Sequence, residues 1–151
     1  MPSFTKGGGP GTDPFGSNEY LRSTQDVKKE SYTVAASTVP LETVNGVANQ
    51  KVLKPGELMC KITSGGETGK VGPFQTLATD GRQTIANAVG INDTFLPWQL
   101  LERDVEIAVT YEATCVQAWC YERDSAGLRI ALTNTNADAV RNTKGVELHF
   151  K

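Results

Sequence analysis

The chain has 151 residues and a net charge of −2, with a pI near 5.4: enough for one domain with a buried core, and no basic surface of the kind that holds nucleic acid. No apolar run approaches the roughly 20 residues of a membrane helix, and the opening MPSFTKGGGPGTDPFGSN lacks the apolar stretch of a secretory signal. Three cysteines, Cys60, Cys115 and Cys120, make an odd count at no metal spacing, so free core thiols in a reducing compartment are expected.

Residues 1–30 hold five glycines and three prolines and show no apolar periodicity. Such a segment buries too little apolar area to offset the entropy of ordering it. It nevertheless carries Phe4, Phe15, Tyr20 and Leu21, spaced like anchors. The expectation is an extended arm, 1–30, that orders on a partner, ahead of a β-rich domain, 31–151.

From residue 31 the apolar period is 2, the mark of strands. In ELMCKIT, Leu58, Cys60 and Ile62 face one way, and Glu57, Met59, Lys61 and Thr63 the other. TSGGETGKVG follows, Thr63 to Gly72, with a Gly-Lys pair that invites a phosphate-loop reading. That loop needs glycine where Ser64 stands, Ser or Thr where Val71 stands, and a helix where Val71-Gly72-Pro73 forbids one. The stretch is therefore expected to be a loop between the strand 57–63 and a strand after Pro73. Asp80-Gly81 marks another turn, with Arg82 placed to pair with a carboxylate.

TFLPWQLLERD, from Thr94, puts Phe95, Leu96 and Trp98 on a Pro-containing loop, either as core or as a subunit or capsid interface. PWQLLERD and NADAVRN are the two candidate short helices. Between them VEIAVTYEATC alternates from Val105 to Cys115, and the phase slips after Cys115, suggesting a bulge or a doubly buried strand. If 115–120 is one extended strand, Cys115 and Cys120 lie about 17 Å apart, too far for a disulfide. GLRIAL (Leu128, Ile130, Leu132) and VELHF (Val146, Leu148, Phe150) alternate as the last strands.

Chemistry-bearing residues are sparse. The one histidine, His149, falls on the polar phase of the last strand, and without a second no His-based metal site or Ser-His-Asp set can be assembled. The carboxylate pairs Glu102/Asp104 and Glu106/Glu112 read as a solvated sheet face. No catalytic residue, metal or cofactor is expected. A trimeric nucleotide pyrophosphatase is also all-β and of this length, but its glycine-rich arm is C-terminal and its Asp-Tyr motif is missing here.

The segment from Leu53 to Ile91, LKPGELMCKITSGGETGKVGPFQTLATDGRQTIANAVGI, resembles the tailed-bacteriophage head decoration proteins, the family typified by the phage lambda capsid-stabilising protein. The shared order is a Leu-x-x-Gly turn (Leu53–Gly56), a strand (Leu58–Thr63), a Gly-rich loop (Ser64–Gly72), Pro73-Phe74, a polar Asp-Gly turn (Asp80–Thr84) and Gly90-Ile91. About 40 residues match well, more loosely through Val105–Val109; the arm and residues 116–151 are unmatched. The resemblance implies a small β-barrel or β-tulip-like domain with one or two short helices and an extended N-terminal arm. It implies a homotrimer on the outer surface of the expanded phage capsid, stabilising it against internal DNA pressure without chemistry, with the major capsid protein as partner. Phe4, Phe15, Tyr20 and Leu21 would then be the capsid-binding arm. A tail or baseplate adaptor module is the alternative.

Overall fold

The computed structural model describes residues 20–151. Among the described residues ten strands form: β1 Lys28–Val34, β2 Glu42–Val44, β3 Val47–Gln50, β4 Leu58–Lys61, β5 Val71–Pro73, β6 Ala88–Asn92, β7 Val105–Cys115, β8 Tyr121–Arg123, β9 Arg129–Ala131 and β10 Glu147–Phe150, with one α-helix, α1, Asn134–Arg141. The main sheet runs β1-β5-β4-β6-β7-β10, and β1 also pairs with β7, which closes the first five strands into a barrel. β10 joins in parallel to the last residues of β7, from Glu147↔Glu112 to Phe150↔Cys115. Hairpins β2–β3 and β8–β9 stand outside this sheet. The fold is mainly β, as the alternation implies.

Two apolar clusters sit on opposite faces of the sheet. β4 shows this best: Leu58 and Cys60 belong to one cluster with Ile91, Cys115, Val140 and Phe150, while Met59 between them belongs to the other with Val34, Val71, Ile107 and Val109. Successive strand residues point to opposite faces, so the Met59 phase, expected to be polar, is buried too. β7 serves both clusters. Its pairing with β1 steps from Lys29↔Thr110 to Lys28↔Glu112, leaving Tyr111 as an extra residue. That bulge reverses the phase, so Ile107 and Val109 face one cluster and Ala113 and Cys115 the other.

The slip after Cys115 is a chain reversal rather than a longer strand. Gln117–Trp119 form a 3-10 turn, with Cys120 N–H donating to Gln117 O at 3.0 Å. The expected extended run 115–120 is thus corrected. The strand near Pro73 ends at it rather than following it, and the β4–β5 hairpin holds the Gly-rich loop, with Lys61 opposite Val71. PWQLLERD gives only a 3-10 turn, Gln99–Leu101. NADAVRN supplies α1 through Arg141, with Asn142 as its C-cap, and the helix begins earlier because Thr133 accepts from Asn136 N–H as its N-cap. In GLRIAL the expected inward pair Leu128 and Ile130 is exposed, and only Leu132 is buried.

The folded body begins before residue 31. Tyr20 is only 1% exposed, its carbonyl accepts from Val116 N–H at 2.7 Å, and Leu21 forms a bridge with Cys115.

Candidate interaction surface

β1 meets β7 along its whole length but touches β5 only at Val34↔Val71. The reason is length and direction: β5 has three residues and runs parallel to β1, starting where β1 ends. Ala35 N–H donates to Val71 O at 3.0 Å, so on that side of β1 the alternate residues Lys29, Ser31 and Thr33 direct backbone groups outward. Beside them runs an open groove of about 400 Å³, lined by Ser31, Tyr32, Thr33, Gly69, Lys70 and Glu106. The Gly-rich loop is therefore the wall of an open strand edge. Its Lys70 is held to Asp104 and Glu67 by ion pairs, and these raise the lysine's pKa.

The edge is a candidate for strand addition, in which an extended segment completes the ladder through backbone hydrogen bonds. Lys28 pairs with Glu112 at 3.2 Å and Lys29 with Asp93 at 2.7 Å. Tyr32 donates to Glu30 Oε2 at 2.9 Å, and burial with that bond pushes its hydroxyl up to about 12. These contacts hold the β1 side chains in place beside the open backbone.

A second surface feature is apolar. Gly127 packs against Pro40 and Gln75, and Gln75 Nε2 reaches Ser125 O at 3.5 Å. Around this junction stand Leu41, Leu77 and Leu128, all exposed, with Leu77 75% exposed. Leu77 occupies the third position of a turn closed by Ala78 N–H to Gln75 O at 3.2 Å. Its φ is 68°, the left-handed region that a turn of this kind normally gives to glycine. A leucine strained and displayed to solvent is the combination found at contact sites.

Of the residues singled out in the sequence, Tyr20 and Leu21 belong to the body rather than to an arm. Tyr20 donates to Asp93 and shares a 2.9 Å hydrogen bond with Thr110. Burial, with Asp93 beside it, pushes its hydroxyl well above the ordinary tyrosine value. Phe4 and Phe15 lie outside the described residues. Leu96 is core: it exchanges two 3.0 Å backbone hydrogen bonds with Leu53 and is buried. Phe95 is half-buried, and Trp98, 48% exposed beside exposed Leu101, remains on the surface.

The other polar residues do not converge. His149 is exposed on β10, and all three thiols are buried. Arg82 is clamped by Asp80 at 2.9 Å and donates to Pro73 O at 3.1 Å, so DGRQT is a structural turn. Among the described residues no group of His, Cys, Asp and Glu could hold a metal, and no helix is long and apolar enough to cross a membrane. The buried network sequence reasoning missed is Glu57 with Arg123 and Arg129. Arg123 Nε donates to Glu57 Oε1 at 2.8 Å, and Arg129 Nε lies 3.2 Å from Oε2 without hydrogen-bond alignment. It ties the residue that leads into β4 to the β8–β9 hairpin and, through Arg129 and Glu42, to β2. Glu57 in an alternating strand gives no local sign of burial. No family model, curated protein or solved structure matches the chain.

Proposed function

We propose that this chain is a structural decoration protein of a phage head. It binds the outside of the expanded capsid as a trimer and braces the shell against packaged DNA, with the major capsid protein as partner. The observation that carries this reading is the open edge of β1. The edge offers the backbone groups of Lys29, Ser31 and Thr33 to an extended strand of the shell protein. The segment that resembles decoration proteins folds as β4, the loop hairpin, β5 and β6, and its Gly-rich loop walls that edge. Phe4 and Phe15 would anchor the arm in pockets of the shell. The apolar junction of Leu41, Leu77 and Leu128 would serve the subunit contact, and Trp98 a further subunit or capsid contact. Three arms on one trimer gain avidity once the first has bound.

The test is co-sedimentation with expanded, undecorated heads, comparing the full chain, a chain lacking residues 1–19, and Ser31→Pro. The deletion stops before Tyr20 because Tyr20 is core. Proline at Ser31 removes an outward N–H while leaving the alternate bonds to β7. The full chain should pellet and both variants should bind weakly. Failure of the full chain to pellet rejects the capsid reading, and localisation to tails by electron microscopy would replace it with the adaptor. Undiminished pelleting of folded Ser31→Pro rejects the edge.

A further inference from the structure

β2 and β3 form a hairpin of their own, outside the main sheet. Its turn is Asn45-Gly46, with φ of 51° and 81°, the left-handed pair that a two-residue turn between twisted strands requires. No strand residue of the hairpin is buried, and both turn residues are exposed. A Cβ on Gly46 would meet nothing within 4 Å. The pairing steps from Glu42↔Gln50 to Val44↔Val47, which leaves β3 one residue longer than β2, with Asn49 also left-handed at φ 59°.

We propose that Asn45-Gly46 is a self-modification site: its asparagine reacts with water to give isoaspartate and aspartate with loss of ammonia, and the product releases the β2–β3 hairpin. Two strands paired only with each other are marginal in water, and this hairpin lends nothing to either apolar cluster. It opens locally while buried Val39 and Val52 hold its two ends to the body. Glycine then lets the turn leave its left-handed pair, and the Gly46 nitrogen, having lost its proton to base, attacks Asn45 Cγ. The Cγ–Nδ2 bond breaks, ammonia takes up a proton and leaves, and a succinimide closes. Water opens that ring at either carbonyl, giving aspartate or, where the chain now passes through the side chain, isoaspartate. The net change is one water consumed, one ammonia released and one negative charge gained.

The chain's one Asp-Gly pair, Asp80-Gly81, is held against the same ring closure. Its carboxylate accepts from Arg82 Nε at 2.9 Å, and Gly81 N–H, whose nitrogen would attack, donates to Gln83 Oε1 at 2.9 Å. A Cβ on Gly81 would lie 2.2 Å from Thr63 Oγ1, so the backbone there is packed. Asn92 and Asn136 donate through their side-chain amides to Lys54 O and Glu122, and each is followed by a residue whose side chain crowds the attacking nitrogen. Isoaspartate lengthens the backbone of the turn by a carbon, so Val44 and Val47 no longer stand opposite. Glu42, which holds Arg129 at 2.9 Å, is carried on the same hairpin. This site does not depend on the capsid reading.

The experiment keeps the folded full chain in mildly alkaline buffer, beside a urea-unfolded sample, and maps isoaspartate by peptide mass spectrometry and enzymatic methyl labelling. In the folded chain Asn45 should convert before any other described asparagine, with isoaspartate the larger product and Asp80 unchanged. The converted chain, separated by ion exchange on its added charge, should be cut by protease between residues 42 and 50 faster than the unconverted chain. Asn45 left intact in the folded chain after the unfolded sample has converted overturns the site, as does isoaspartate forming as fast at Asp80. Equal cutting of the two chains overturns the release of the hairpin.

Discussion

Arg123 and Glu57 meet at 2.8 Å with side chains 1% and 0% exposed, although they lie 66 residues apart in the chain. The guanidinium also donates to Gly127 O at 3.0 Å and Val52 O at 3.1 Å, so its charge is shared among well-placed acceptors. Lys54 N–H donates to the other Glu57 oxygen at 2.7 Å. The pair fastens the β8–β9 hairpin to the barrel, and it makes this attachment sensitive to single changes.

Removing either partner alone should be severe, because the survivor is left buried. Arg123→Met is expected to cost about 3–5 kcal/mol in urea unfolding. Glu57→Leu with Arg123→Met should be more stable than Arg123→Met alone, since the remaining charge, Arg129, keeps Glu42 as its partner, whereas Arg123→Met leaves the buried Glu57 carboxylate with Arg129 as its one ion-pair partner among the described residues. A double variant no better than the single would show that packing, not charge, governs the site.

The same pair sets part of the acid response. Burial alone would raise the Glu57 carboxyl, but the charges of Arg123 and Arg129 and the Lys54 N–H outweigh it and hold it below the ordinary glutamate value. A depressed folded pKa contributes stability above the unfolded value, about 4.3, and loses it as pH falls through the folded value. Glu57→Gln should therefore destabilise at neutral pH and show a shallower loss of stability below about pH 4 than the unaltered chain, measured by urea midpoints across pH.

Tyr20 closes the barrel from outside its strands. Tyr20→Phe leaves buried Thr110 and half-buried Asp93 without the hydroxyl, a loss of about 1–3 kcal/mol. Deleting residues 1–30 removes Tyr20 and the first three residues of β1, and should lower the urea midpoint further than Tyr20→Phe does. Equal midpoints for the deletion and the full chain would place the body's true start later.

Gly90 and Gly66 separate close approach from open loop. At Gly90, φ is 143° and a Cβ would sit 2.2 Å from Thr110 O, whereas at Gly66 nothing lies within 4 Å. Gly90→Ala should abolish folding or cost more than about 3 kcal/mol, while Gly66→Ala stays within about 0.5 kcal/mol. Circular dichroism melts of the two variants decide this.

Leu77 should show opposite effects on stability and association. Relief of a left-handed leucine gives back about 1–2 kcal/mol, partly offset by the freedom of glycine in the unfolded chain. Leu77→Gly is expected to raise stability by roughly 0.5–1 kcal/mol and to weaken self-association in sedimentation equilibrium. Stability gained with association unchanged would remove Leu77 from the proposed subunit contact.

What the sequence determined by itself is the β class, the span Val105–Cys115, the last strand and the loop between β4 and β5, because alternation and turn chemistry are properties of neighbouring residues. The resemblance to decoration proteins also rests on a local order of turns and strands. Tertiary structure decided the rest. Tyr20 reads as part of a Gly/Pro-rich arm, yet Asp93 and Thr110 draw it into the body from 73 and 90 residues away. Met59 sits on the polar phase but is buried, since β4 has apolar layers on both faces. Leu96 joins the core through its ladder with Leu53. The return of Cys120 to the cluster that holds Cys115 depends on a turn that alternation cannot reveal, and the open edge of β1 exists because β5 is short and starts where β1 ends. Each of these depends on which distant segment arrives at a given face, and that is settled only when the barrel closes.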